Sequence, residues 1–162
     1  MYGDWRQEAA RYRNRTLVLD ANLLVLLIVG LTDRRLINQF GRTKNHFTES
    51  DFDRLTNIVE FFTERKGLAT TSHVLAETSN LLGERREFMI TLQQFIHGVL
   101  ESRKEAAKLT SSAIFYRLGL TDAGLHDLAF HSHCVLTVDK DLAAAAMRGR
   151  AILNYNHFRF DV

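Results

Sequence analysis

The stretch from Thr16 to Leu31 (TLVLDANLLVLLIVGL) decides the fold. Thr16 to Asp20 is a short run of leucine and β-branched side chains that reads as a buried strand, and Asn22 to Val29 continues as a helix lying over a sheet. Asp20 therefore stands at the carboxyl end of a strand. The run falls short of the roughly 20 apolar residues that a bilayer span needs, and it carries Asp20 and Asn22, so it reads as a core segment.

Working outward, Ser50 opens a helix on which Phe52, Leu55, Ile58, Val59 and Phe62 recur at helical spacing. Gly67 to Thr71 gives a second strand. Ser72 caps the next helix, with a core face of Val74, Leu75, Thr78, Leu81 and Leu82, and Gly83 ends it. Glu77 falls at the edge of that face, in line with His73 and Asn80. Two architectural helices follow over Glu84 to Leu100 and Ser102 to Leu118. Gly119 to Asp122 then enters a helix holding Leu125, Leu128 and Ala129, with Thr121 as cap and Asp122 in the first turn. Cys134 to Asp139 is a third strand, Leu142 to Met147 a short helix and Ala151 to Tyr155 a last strand. This alternation predicts an α/β sandwich around a mostly parallel sheet, as one domain over residues 1–162.

Composition agrees with that reading. With 46% apolar and 25% charged residues over 162 positions, the chain resembles an ordinary globular domain, which excludes disordered and fibrous classes. A single cysteine, Cys134, forbids an internal disulfide and suits a reducing, cytoplasmic compartment. The segment 1–15 is a basic extension without the apolar centre of a secretory signal. A net charge of +2 does not diagnose nucleic-acid binding. The segment 31–49 is more suggestive, since Arg34, Arg35, Arg42 and Lys44 face only Asp33 among its residues before Glu49.

The chemistry-bearing residues are carboxylates. In open α/β sheets, sites form outside the carboxyl ends of the strands, and Asp20 and Asp139 both end strands there. Asp122 enters from a helix start and Glu77 from a helix edge. Each has a purely structural reading: Asp20 as a helix cap, Asp122 as complement to a helix dipole, Glu77 as a solvated residue, Asp139 as the opening of a turn. If the four meet, repulsion is severe, because two like charges about 4 Å apart cost roughly 4 kcal/mol at an effective dielectric near 20. Raised pKa values or a hard divalent cation would relieve it, and an all-oxygen donor set suits Mg²⁺ or Mn²⁺ better than zinc. His126, His131, His133 and Cys134 are zinc-ligand types, but no second cysteine pair accompanies them and Cys134 opens a buried strand.

The blocks VLDANLL (Val18 to Leu24), TSHVLAETSNLL (Thr71 to Leu82), GLTDAGLHDLA (Gly119 to Ala129) and VLTVDKDL (Val135 to Leu142) together resemble the PIN domain family, with the order and spacing matching over most of the chain. The resemblance implies a PIN-like three-layer α/β/α sandwich with a central mostly parallel sheet. It also implies a metal-dependent endoribonuclease whose Asp20, Glu77, Asp122 and Asp139 bind Mg²⁺ or Mn²⁺ and carry catalysis. Asn22 and Thr137 match polar positions that orient the acids. Asp127 competes with Asp122 for the third place, but it lies about 140° around the helix and should face solvent; Asp141 is a reserve candidate. The implied partners are RNA, a second copy of the chain through the helices from Glu84 to Leu118, and an inhibitor or antitoxin protein. The extension 1–15 and the longer basic stretch 31–49 set the chain apart from compact toxin members. Arg34, Arg35, Arg42, Lys44 and His73 are candidates to contact RNA phosphates. The competing readings are a PIN-like binding or scaffold module without turnover, and a phosphotransfer or phosphatase domain with Asp20 as phosphoacceptor. The latter pattern calls for a second aspartate where Asn22 stands.

Overall fold

A computed structural model describes residues 4–146 and 150–159. Five strands form one sheet: β1 (Thr16–Leu19), β2 (Leu68–Thr71), β3 (Leu100–Ser102), β4 (His133–Thr137) and β5 (Ile152–Asn154), in spatial order β3-β2-β1-β4-β5. Every pairing is parallel, so the expected mostly parallel sheet is wholly so among the described residues. The helices are α1 (Trp5–Arg11), α2 (Ala21–Thr32), α3 (Gly41–Lys44), α4 (Glu49–Thr63), α5 (Ser72–Leu82), α6 (Arg86–Gly98), α7 (Ala106–Leu109), α8 (Ala113–Leu118), α9 (Leu120–Leu128) and α10 (Lys140–Ala144). This is an α/β fold, compatible with helical layers on both faces of the sheet.

The chain steps outward from β1 through β2 to β3, then returns to the opposite side of β1 for β4 and β5. Strand order thus reverses between β1 and β4, the point at which open α/β sheets form a crevice at their carboxyl ends. The helix α2 is buried nearly all round, from Leu23 to Gly30, which explains its continuous apolar sequence. Its Gly30 admits α4, since a Cβ there would overlap the Phe52 ring. Among the described residues no helix is long and apolar enough to cross a membrane.

Several local expectations change. The edge strand β3 lies where one helix was expected to end at Leu100 and another to begin at Ser102. It is three residues long, with Leu100 65% exposed, and so carries no buried alternating pattern. The second of those helices is broken into α7 and α8 by Thr110–Ser112. Thr48, not Ser50, caps α4, in a reciprocal capping box with Asp51. Thr71 rather than Ser72 caps α5, and Gly119 rather than Thr121 stands at the cap of α9, at φ 92°. Helix α10 is one turn over Lys140–Ala144, and Met147, its expected end, lies outside the described residues. The basic extension forms α1, which docks on α4 through buried Trp5, edge-on to Phe61 at 6.1 Å between centroids. Within 31–49 the chain winds into a short 3-10 helix, Arg34–Asn38, and α3, pinned by buried Ile37, Thr43 and Phe47.

Candidate metal centre

The register of β1 on β4 pairs Leu19 with Leu136, which brings the residue after β1 beside the last residue of β4. Asp20 N–H donates to Leu136 O at 3.0 Å, fixing the backbone there. The Asp20 carboxylate is 5% exposed and accepts three hydrogen bonds: from Leu23 N–H to Oδ1 (2.8 Å), and from Thr137 Oγ1 (2.5 Å) and Val138 N–H (2.7 Å) to Oδ2. Asp20 is therefore the cap of α2 as well as a strand-end acid. Three bonds occupy three of the roughly four acceptor positions of a carboxylate.

Thr137, fully buried, joins the two strand-end acids: its hydroxyl donates to Asp20 and accepts from Asp139 N–H at 2.9 Å. Asp139 is half-buried, and its Oδ1 caps α10 by accepting from Asp141 N–H (2.7 Å) and Leu142 N–H (3.1 Å). Asp122 is half-buried in the first turn of α9, and Glu77 is exposed on α5, which packs against α9. Burial first, then the charges of Asp139, Glu77 and Asp20, push the Asp122 carboxyl up to about 7. Asp20 is also raised, by desolvation above all, against the lowering effect of its hydrogen bonds. The four acids thus share one electrostatic field.

That field is not a preformed coordination shell. Among the described residues, no three histidine, cysteine, aspartate or glutamate side chains stand close enough to hold an ion as they are. None of the four acids has a lysine or arginine within ion-pair distance among the described residues. The donor set fits a hard cation chemically: it is all oxygen and uncompensated, and its mutual repulsion opposes closer approach until positive charge is present.

The other candidates divide clearly. Asp127 is partly exposed and turned away, paired with Lys104 at 2.6 Å. Asn22 is exposed, two residues beyond Asp20. His73 is half-buried and lines a small recess with Ser102, Lys104 and Asp127 on the β2–β3 side of the rim. Arg34 is held by Asp53 (2.7 Å) and Glu49, and Arg35 by Asp33 (2.8 Å), so these two are already neutralised. Arg42 and Lys44 are exposed on α3. Of the zinc-type residues, Cys134 is buried in β4 and His126 is buried with Nε2 3.2 Å from Ala145 O.

A cleft of about 450 Å³ is lined by Asn22, His46, Val138, Lys140, Asn156 and Arg159, some of them next to Asp20 and Asp139 along the chain; of these only Asn22 was a candidate from the sequence. Its linear signals are Asn22, two residues after Asp20, and Lys140, immediately after Asp139. No family model matches the chain, and no similar protein is found among curated proteins or solved structures.

Proposed function

We propose that the chain is a PIN-like endoribonuclease that hydrolyses RNA phosphodiesters with Mg²⁺ or Mn²⁺ held at the carboxylates of the strand switch point. The observation that carries this reading is the pair of strand-end aspartates, Asp20 and Asp139, coupled through Thr137 where strand order reverses, with Asp122 and Glu77 in the same field. Asp20, Asp139, Asp122 and Glu77 would hold the cation, which when bound would supply Lewis acidity toward water and a phosphoryl oxygen. In the reaction a water oxygen bonds to phosphorus while the bond to the 3′-oxygen breaks, and that oxygen leaves with a proton.

The chain's own contribution is positioning and charge. Asp20 is immobilised by its three hydrogen bonds, and Thr137 fixes the spacing to the Asp139 backbone. Asp122, carrying its proton part of the time near neutral pH, must release it to act as a ligand, so cation uptake liberates protons. A phosphoacceptor role suits Asp20 poorly, because that pattern calls for a second aspartate where Asn22 stands.

The test is cleavage of a mixed pool of transfer and messenger RNA with Mn²⁺ and then with chelator. Asp139→Asn is the informative variant, because asparagine keeps the oxygen that caps α10. Its rate should fall by more than about a hundredfold, the upper range for losing an outer-shell partner of a metal. Cleavage that survives chelator, or that Asp139→Asn retains, contradicts the reading.

A further inference from the structure

The cleft beside the acids differs in charge from the rest of the rim. Asn22 lies two residues past Asp20, while Val138 and Lys140 flank Asp139, so three residues lining the cleft neighbour the strand-end acids along the chain. No acid lines it. Arg159 faces it, but Asp51 holds that guanidinium in two hydrogen bonds of 3.1 and 3.0 Å, and its side chain is 24% exposed. Lys140 is exposed, and among the described residues no carboxylate reaches it at ion-pair distance. It is the uncompensated cation nearest the acids along the chain. A second basic recess has its Lys104 and Lys108 paired with Asp127 (2.6 Å) and Glu105 (3.4 Å) and its Arg150 bonded to the His126 carbonyl (2.9 Å).

Asn156 supplies a second observation. Its Nδ2 donates to Val138 O at 2.9 Å, and a carbonyl partner fixes which end of the amide is nitrogen. The backbone N–H of Asn156 is also used, by Asn154 Oδ1 at 3.0 Å. Among the described residues nothing donates to the amide oxygen Oδ1, which is left as an acceptor on a residue lining the cleft. A lysine for phosphate beside an acceptor for a hydroxyl donor matches the backbone of RNA, whose 2′-hydroxyl DNA lacks. A cleft of about 450 Å³ has the scale of a small-ligand site, with room for a short stretch of one strand and none for a duplex.

We infer that this cleft is the track for single-stranded RNA leading to the acids, with Lys140 contacting a phosphate and Asn156 Oδ1 accepting from a ribose 2′-hydroxyl. The inference rests on the nuclease reading for its direction but is tested without the cation. Fluorescence anisotropy of the intact chain in chelator compares an oligouridylate with its 2′-deoxy and 2′-O-methyl counterparts across a salt series. The wild-type chain should prefer the ribo strand over both analogues. Lys140→Ala should weaken all three and lower the slope of log K against log salt by about 0.7, the value for one phosphate on a single strand. Asn156→Ala should bring the ribo strand to the level of the deoxy strand. Lys66→Ala, on the turn entering β2 at the opposite rim, should change nothing. Equal binding of the three strands by the wild-type chain overturns the role of Asn156 whether or not the variant folds. An unchanged salt slope in Lys140→Ala, or no wild-type binding at low salt, overturns the track. If metal-dependent cleavage persists while those binding results fail, the track falls and the nuclease reading stands; the expected binding pattern without any cleavage has the reverse meaning.

Discussion

Asp51 and Asp20 are both aspartates in the first turn or cap of a helix and are 4% and 5% exposed, yet their surroundings are opposite. Asp51 meets Arg159 at 3.0 Å and Arg54 at 3.8 Å, accepts from Thr48 N–H at 2.8 Å and lies 3.4 Å from the Tyr155 hydroxyl. Asp20 meets only neutral donors, and the charges that act on it come from other acids. Folding accounts for the first arrangement, since a buried charge is tolerated when paired and hydrogen-bonded. It does not account for the second, where four acids gather in one field and, among the described residues, no lysine or arginine stands at ion-pair distance. Uncompensated charge at a topological switch point is what the proposed site rests on, whereas compensated charge such as that of Asp51 is explained by the scaffold alone.

Breaking the paired region should give the largest effect on stability. Asp51→Ala strands the guanidinium of Arg159 and removes the capping box of α4, which should cost about 3 kcal/mol, as for other severed buried pairs. At this chain length that lowers Tm by roughly 6–12 °C, measurable by thermal or urea unfolding. A shift under about 2 °C would mean that Asp51 is not the anchor of the C-terminal segment.

Thr137→Val probes the link between the two strand-end acids. The loss of one buried hydroxyl should weaken Mn²⁺ binding by about 10- to 100-fold, the range for outer-shell partners. Thr137→Ser keeps the donor and should recover most of that loss. Equal metal affinity in the two variants would make Thr137 a packing residue only.

The last prediction concerns pH. The Asp122 carboxyl is raised from 3.8 to about 7 on folding, so between these values the folded chain holds more protons than the unfolded one. Metal-free stability should then fall as pH rises from about 4 to about 7 and level off above. Asp122→Asn should flatten this slope without abolishing it, because Asp20 is raised as well. Urea midpoints at pH 4.5 and 8 in chelator check this, and a slope of the same size in the variant would remove Asp122 from the shared field.

Much of this was legible in the linear sequence where burial writes a strong pattern. The strand Thr16–Leu19, the helix behind it and the strand ending in Thr137 announce themselves because both faces of a parallel strand are buried. Asp20 and Asp139 follow directly, being one and two residues beyond those strands. The strand Leu100–Ser102 was hidden, because an exposed edge of three residues has no periodicity to read. The capping box at Thr48 was present as a Thr-x-x-Asp pattern, but Ser50 offered a competing cap two residues on. Arg34 and Arg35 looked like free charge because their partners Asp53, Glu49 and Asp33 could be assigned only once the chain was folded around them. Asn156 and Arg159 join the cleft from a segment far along the chain, which no local spacing could reveal.

Titration calorimetry of Mn²⁺ into the metal-free chain at pH 7, in two buffers of different protonation enthalpy, addresses the central claim most directly. Saturable uptake with proton release is expected, with uptake abolished in Asp139→Asn and the proton release reduced in Asp122→Asn. No uptake by the wild-type chain, or identical uptake by Asp139→Asn, would contradict the assignment of these carboxylates as a cation site.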